Sequence, residues 1–139
     1  MNKTNLLIAV CLLTAAVLGC SMYKDSKTAE PVVAKFHEQY NNEQFAKIYA
    51  ETGDLMKNAS SESDIISLLS KVHEKLGDVK NATSTSWHVS AQGEQSIVNL
   101  TYDVEYEKGK GTEAFTISVR GKDAKIEGFN INSKDLILN

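Results

Sequence analysis

The spacing of apolar residues changes once along this chain, near Asp78, from a helical period to a strict alternation. Before that residue, apolar side chains recur every three or four positions, which is typical of amphipathic helices. After it, apolar and polar side chains alternate, which is typical of strands with one buried and one solvated face. Helices followed by a run of strands predict an α+β fold, in which the helices pack on an antiparallel sheet.

Three segments have the helical spacing and are predicted as helices: residues 31–40, 43–52 and about 61–76. Pro31 suits the first turn of the first helix, because a backbone N–H at that position would make no hydrogen bond within the helix. Gly53 and Gly77 follow the second and third helices, as C-cap glycines do. Ser61 with Asp64 resembles a capping box and predicts where the third helix begins.

The alternating half predicts four strands, with turns at residues 92–94, 109–111 and 121–123. The apolar set of the last strand shifts by one position after Gly128, which predicts a bulge that bends the strand. The predicted domain therefore has three N-terminal helices packed on a bent four-stranded antiparallel sheet.

A short apolar run lies at the amino terminus, at residues 6–18, and Thr14 is its one clearly polar residue. It is too short to span a hydrocarbon core, which takes about 20 apolar residues. Lys3 precedes the run and the small Gly19 follows it. A basic start, a short apolar run and a small residue at its end predict a secretory signal peptide.

The end of this run, Val17-Leu18-Gly19-Cys20, resembles the lipobox of bacterial lipoproteins. The resemblance implies cleavage between Gly19 and Cys20 by signal peptidase II, and a diacylglyceryl group on the sulfur of Cys20. The expected location is the bacterial cell envelope, and Ser21 after the cysteine favours the outer membrane in a Gram-negative cell. Two alternatives stay open: a hydrophobic amino-terminal helix with a buried Cys20, and a protein that is simply secreted.

The predicted organisation has three parts. Residues 1–19 are the signal peptide, residues 20–30 are the lipidated cysteine with a polar tether, and residues 31–139 are a single α+β domain. The formal net charge of the chain is −3, and residues 1–19 carry only the positive charge of Lys3, so residues 20–139 carry −4. An acidic balance argues against nucleic acid as a partner, because nucleic-acid binding needs a basic surface.

The residues that resemble a known family extend over residues 32–138: Phe36-His37-Glu38-Gln39-Tyr40-Asn41-Asn42-Glu43-Gln44-Phe45 with Ile48-Tyr49, then Leu76-Gly77, Trp87, Leu100-Thr101-Tyr102, Gly111-Thr112-Glu113-Ala114-Phe115 and Ile131-Asn132-Ser133-Lys134-Asp135-Leu136-Ile137-Leu138. This pattern is similar to small bacterial lipoproteins of the DUF4019 and DUF3887 type, and the order of elements resembles the NTF2-like cone fold. That fold includes isomerases, dehydratases, ligand carriers and protein-binding modules, so the resemblance implies an architecture and leaves the function open.

Few residues suggest chemistry. His37, His73 and His88 have no second histidine or carboxylate at metal-ligand spacing, and each is interpreted as exposed or structural, with His37 facing solvent. The acids at positions 103, 105 and 107 share one strand face, which is interpreted as a solvated face in preference to a cation site. The Asp–His pair that marks enzymes of the NTF2-like fold cannot be placed. No catalytic residue, metal or cofactor is therefore predicted.

The aromatic residues have two interpretations. Phe and Tyr side chains at the inward positions pack a closed core, or some of them line a cavity that opens at one end of a cone. Tyr40, Tyr49, Trp87 and Tyr102 are the candidates for such a pocket.

Three functions are consistent with these features. The first is a noncatalytic, lipid-anchored envelope lipoprotein that binds a partner protein or assembly at the membrane surface. The second is a binder of a small apolar ligand that uses the cone cavity, and the third is an enzyme of the NTF2-like type.

Overall fold

A computed structural model describes the backbone of residues 3–138 and the side chains of residues 20–137. Five helices and four strands occur in this part of the chain: α1 Lys3–Asn41, α2 Phe45–Glu51, α3 Asp54–Ala59, α4 Glu62–Leu76, β1 Val79–Gln92, β2 Gln95–Tyr106, β3 Gly109–Arg120, β4 Asp123–Asn132 and α5 Asp135–Leu138. The α+β class and the four-stranded antiparallel sheet are confirmed. The expected number of three helices is wrong, because α3 and α5 are additional.

The first helix is much longer than the sequence pattern predicts. Residues 21–30, interpreted above as a tether, are helical, and Pro31 lies inside the helix instead of in its first turn. Ser26 and Ala29 are buried against the sheet, with 2% and 0% of their surface exposed. They continue the buried stripe of the later turns toward the amino terminus. The pattern missed them because a serine and an alanine give almost no apolar signal, although small side chains let a helix approach a sheet closely.

The next helices show one wrong and one correct boundary. Gly53 does not cap α2, which ends at Glu51 and has Thr52 as its C-cap; Gly53 is instead the N-cap of α3, and its N–H donates to the carbonyl of Ile126 at 2.9 Å. The predicted boundaries of α4 are confirmed. The hydroxyl of Ser61 accepts from the N–H of Asp64, and Gly77 follows the helix with a φ of 71°.

The sheet is a meander in the order β1-β2-β3-β4, with two-residue turns at 93–94, 107–108 and 121–122. The turn expected at 109–111 is wrong by about two residues, because Gly109 and Gly111 belong to β3. Gly111 allows a close approach: a Cβ there would lie 2.7 Å from the carbonyl oxygen of Asn132. The bulge expected beside Gly128 is confirmed, since the register of β3 and β4 shifts at that point.

The core lies between α1 and the inner face of the sheet. Phe36 sits at its centre, with its ring centroid 5.2 Å from that of Phe115 on β3 and 5.3 Å from that of Phe129 on β4. The helices leave most of β1 uncovered, and Val89 is its one buried residue. Within the described part of the chain, no helix combines the length and the apolarity that crossing a membrane requires.

Candidate functional site

The middle of β1 is an inner sheet face that no helix covers. In antiparallel strands, residues that pair directly point to the same face. Trp87 pairs with Leu100 and Ser84 pairs with Tyr102, so all four lie on the inner side of the sheet. Leu100 is 1% exposed, whereas Trp87 is 51% exposed. An apolar face therefore continues from the core to a strand that is open to solvent.

The flank of α1 that faces β1 forms the other wall. At its far end, the Asn41 side chain holds both polar backbone groups of Val79, at 2.8 and 2.9 Å. One turn earlier, the His37 ring meets the Tyr102 ring edge-on, with centroids 6.2 Å apart. We call the surface along which these side chains lie the α1–β1 groove and define it by Glu30, His37, Ser84, Trp87 and Tyr102; Glu30 is included because its charge acts on Tyr102.

A buried carboxylate lies behind the groove. Glu113 is on the inner face of β3, between Tyr102 of β2 and Ile131 of β4, and is 1% exposed. Its Oε2 lies 2.6 Å from Nε2 of His37, and its Oε1 accepts a hydrogen bond of 2.6 Å from the hydroxyl of Tyr106. A carboxylate that is buried away from water needs hydrogen-bond donors, because its desolvation costs on the order of several kcal/mol. Both oxygens of Glu113 are satisfied.

His37 connects this buried group to the groove. Its side chain is 12% exposed, and Nε2 is engaged with Glu113. Nδ1 makes no hydrogen bond to a described residue, and no buried side-chain nitrogen or oxygen of those residues lacks a partner. Nδ1 therefore reaches solvent. A histidine that a carboxylate orients through one nitrogen, with the other nitrogen open, has the arrangement of a general acid or base.

The tyrosines around Glu113 are held in their neutral form. Burial, followed by the charge of Glu113 and its hydrogen bond, raises the pKa of Tyr106 far above its usual value. Burial and then the charge of Glu113 do the same for the pKa of Tyr40. The pKa of Tyr102 is raised by burial first and then by the charges of Glu30 and Glu113. The hydroxyl of Tyr106 is thus available as a donor to the carboxylate.

A second histidine pair closes the far end of the core. His73 on α4 lies 3.0 Å from Asp78, and its ring packs against Tyr40 at a centroid distance of 5.1 Å. The hydrogen bond from His73 lowers the pKa of Asp78. The hydroxyl of Tyr40 donates to the carbonyl of Gly77 at 3.3 Å. These contacts join α1, α4 and the loop before β1, and they have a structural role.

The structure brings together two of the four predicted pocket residues. Trp87 and Tyr102 lie on adjacent strands of the α1–β1 groove. Tyr40 is in the core, and the hydroxyl of Tyr49 donates to the carbonyl of Ser60 at 3.0 Å, away from the groove. Trp87 lies on the inner face of the sheet, as expected, but half of its side chain is exposed because no described helix packs over that half.

The sequence interpretation missed the central pair of this site. His37 was expected to face solvent, which is wrong, because the helix turns its ring toward Glu113. Glu113 had a usable signal: it is in phase with Phe115 and Ile117, so the alternation places a lone acid on the buried face. A buried acid needs a donor, and His37 is adjacent to the buried stripe of α1.

The outer face of the sheet carries a separate polar groove of about 800 Å³. Thr83, Asp103, Thr112 and Asn132 form one row of paired residues across its four strands. Glu105 in the same groove is neutralised by Lys110 at 2.8 Å. Among the described residues, no three His, Cys, Asp or Glu side chains are grouped as metal ligands.

Cys20, the first residue of α1 whose side chain is described, is exposed to solvent. The side chains of residues 1–19, to which the signal-peptide prediction applies, are outside the described residues. Cleavage at Gly19 and lipidation of Cys20 stay predictions.

Comparison of the chain with protein-family models gives no match, and comparison with curated proteins gives none either.

Proposed function

We propose that this protein is a noncatalytic, lipid-anchored lipoprotein of the bacterial cell envelope that binds a partner protein at the membrane surface. The observation that carries the binding proposal is the half-exposed Trp87 in the α1–β1 groove. Tryptophan is enriched among the residues that dominate protein interfaces. Covering its exposed half removes roughly 100 Å² of mostly apolar surface from water, which is worth about 2–3 kcal/mol.

The edge position of β1 indicates what kind of partner would fit. β1 pairs with β2 on one side only, so its other side offers unpaired backbone groups to an extended segment. The register is interrupted between Val79 and Asn81 and between Ser84 and Ser86, and it is continuous from Ser86 to Gln92. Since bulges discourage strand addition, the continuous part beside Trp87 is the proposed docking edge.

The anchor and the fold family belong to the same proposal. The apolar run, Gly19 and Cys20 support lipidation at Cys20, which would attach the protein to the membrane. Helices that precede a bent antiparallel meander support an NTF2-like cone, in which the α1–β1 groove would be the opening. A location on the outer membrane is proposed for a Gram-negative cell.

Site-specific photocrosslinking in living cells tests the binding surface. A benzophenone amino acid replaces Ser84, which is on the inner face, or Thr83, its exposed neighbour on the outer face. We expect one defined adduct with an envelope protein from position 84 and none from position 83. Trp87→Ala should reduce that adduct without changing the amount of folded protein.

The proposal fails if both positions give the same adducts, or if the adduct at position 84 persists unchanged in Trp87→Ala. Absence of any adduct from position 84 in the wild-type background would also count against a protein partner at the groove. Thr83 is a strict control because it differs from Ser84 by one position and one face.

A second candidate function is the binding of a small, largely apolar ligand in the same groove, with Nδ1 of His37 available for a hydrogen bond to it. The buried Glu113 that orients His37 favours this candidate. Native mass spectrometry of residues 20–139 with Cys20→Ser, after incubation with envelope extract, tests it. A small bound mass that is lost in both Trp87→Ala and His37→Gln supports a ligand, whereas a bare monomer leaves the protein partner as the better reading.

A further inference from the structure

The buried stripe of α1 ends in an apolar residue that is partly exposed to solvent. Met22 stands four positions before Ser26 and continues the stripe of Ala29 and Val33 toward the amino terminus. The other three are at most 2% exposed, but Met22 is 40% exposed and Tyr23 beside it is 57% exposed. The helix leaves the sheet at this point, so the stripe extends past the edge of the domain.

Two sheet turns lie at the same end of the domain. The Asp25 carboxylate accepts a hydrogen bond of 2.7 Å from Ser96, near the start of β2. In a meander, the β1–β2 turn at 93–94 and the β3–β4 turn at 121–122 are on that same end, and the turn at 107–108 is on the opposite end. Cys20 precedes Asp25 by five residues, about 8 Å of helix, which brings it roughly level with these turns.

From this arrangement we infer that the phospholipid surface is a direct contact of the folded domain, in addition to the lipid on Cys20. The inference rests on the proposed lipidation. Cys20 continues directly into α1, which is helical through residues 21–24 and contacts the sheet from Asp25 onward, so this part of the chain contains no irregular spacer that would let the domain move away. Met22 and Tyr23 then lie in the headgroup region, where an apolar side chain and an amphipathic ring are both favourable.

The inference fixes the orientation of the α1–β1 groove. Trp87 lies six residues before the turn at 93, so it is held about 20 Å above the membrane-facing end, with the groove opening sideways. The charged residues exposed at that end have both signs: Lys24, Arg120 and Lys122 against Glu94 and Asp123. The contact should therefore depend on apolar insertion and persist in high salt.

Fluorescence quenching on vesicles tests this orientation with the lipidated protein. A cysteine that carries a fluorophore replaces Glu94 at the membrane-facing turn or Glu38 near the other end of α1, in vesicles of phosphatidylethanolamine and phosphatidylglycerol with nitroxide-labelled headgroups. We expect quenching at position 94 to exceed that at position 38 by at least about threefold, because Glu38 lies about 27 Å from Cys20 along the helix.

Two variants separate insertion from general surface properties. Met22→Ser with Tyr23→Ser should remove the difference between the two labels while the protein stays on the vesicles. Leu68→Ser, which removes an apolar residue that is 48% exposed elsewhere on the surface, should leave the difference unchanged.

Flotation separates the lipid anchor from the inferred orientation. A protein that floats with the vesicles but shows equal quenching at both positions overturns the inferred orientation alone. A protein that does not float overturns the lipid anchor and this inference together. An equal loss of the difference in Leu68→Ser would also contradict a specific role for Met22 and Tyr23.

Discussion

Removal of the His37 side chain should destabilise the domain far more than removal of the His37–Glu113 pair. In His37→Leu, Oε2 of Glu113 loses its 2.6 Å partner while the carboxylate stays 1% exposed. Leaving one member of a buried pair without its partner costs about 3–5 kcal/mol. For a domain of this size that corresponds to a fall in Tm of about 10–20 °C.

The double variant His37→Leu with Glu113→Leu removes the charge and its partner together. It leaves the hydroxyl of Tyr106 without its acceptor, which costs about 1–3 kcal/mol. Glu113→Leu alone should cost a similar amount, because the partly exposed His37 ring can still turn toward solvent. The two single costs together therefore exceed the cost of the double variant by the cost of His37→Leu, about 3–5 kcal/mol, which is the expected coupling energy.

Urea denaturation followed by circular dichroism measures all three variants and the wild-type chain, each as residues 20–139 with Cys20→Ser. The reasoning is refuted if the single costs add to the double cost within about 0.5 kcal/mol, the level expected for residues that do not interact. A His37→Leu variant as stable as the wild-type chain would also refute it.

Three further predictions concern the backbone and the tyrosines. Burial raises the pKa of Tyr106 and of Tyr40, so the folded state keeps protons that the unfolded chain loses above pH of about 10. This contribution to the free energy of unfolding should be complete below that pH and should fall above it, by about 1.4 kcal/mol per pH unit for Tyr106. Alkaline denaturation of Tyr106→Phe should lack that part of the slope. Pro31→Ala should raise the free energy of unfolding by about 1–3 kcal/mol in urea denaturation, because a proline inside a helix lacks one hydrogen bond. Gly111→Ala should lower the Tm measured by calorimetry, with a cost of about 1–3 kcal/mol, because the new Cβ meets the backbone of Asn132; the contrasting variant is Gly128→Ala, whose new Cβ would have no atom nearer than 4.0 Å.

Elements with a strong local signal were predictable from the sequence. α4 has a continuous apolar stripe, a serine N-cap and a C-terminal glycine, and each of these acts within a few residues. β2 was the most predictable strand, because a strict alternation over residues 98–106 has few competing explanations. The bulge at Gly128 was predictable because a phase change must occur where one residue is extra.

The remaining features depend on contacts between distant segments. The amino-terminal part of α1 was missed because Ser26 and Ala29 are buried for their small size, which apolar spacing does not report. Gly109 and Gly111 were interpreted as a turn, although Gly111 is required by its close approach to β4. The exposure of Trp87 could not be read from β1, because it depends on which strands the helices cover.

The site itself was only half predictable. Trp87 and Tyr102 were named as pocket residues and do share the groove. The His37–Glu113 pair joins residues that are 76 positions apart, and the flank of a helix toward which a histidine points depends on where the sheet lies.

The most direct test of the account is the intact mass of the protein purified from its own cell envelope, beside a Cys20→Ser variant. The account predicts a wild-type chain that begins at Cys20 and carries a diacylglyceryl group, and a variant that keeps residues 1–19 and has no added lipid mass. A wild-type chain without lipid on Cys20, whether or not residues 1–19 are removed, would contradict the anchor on which the proposed function depends.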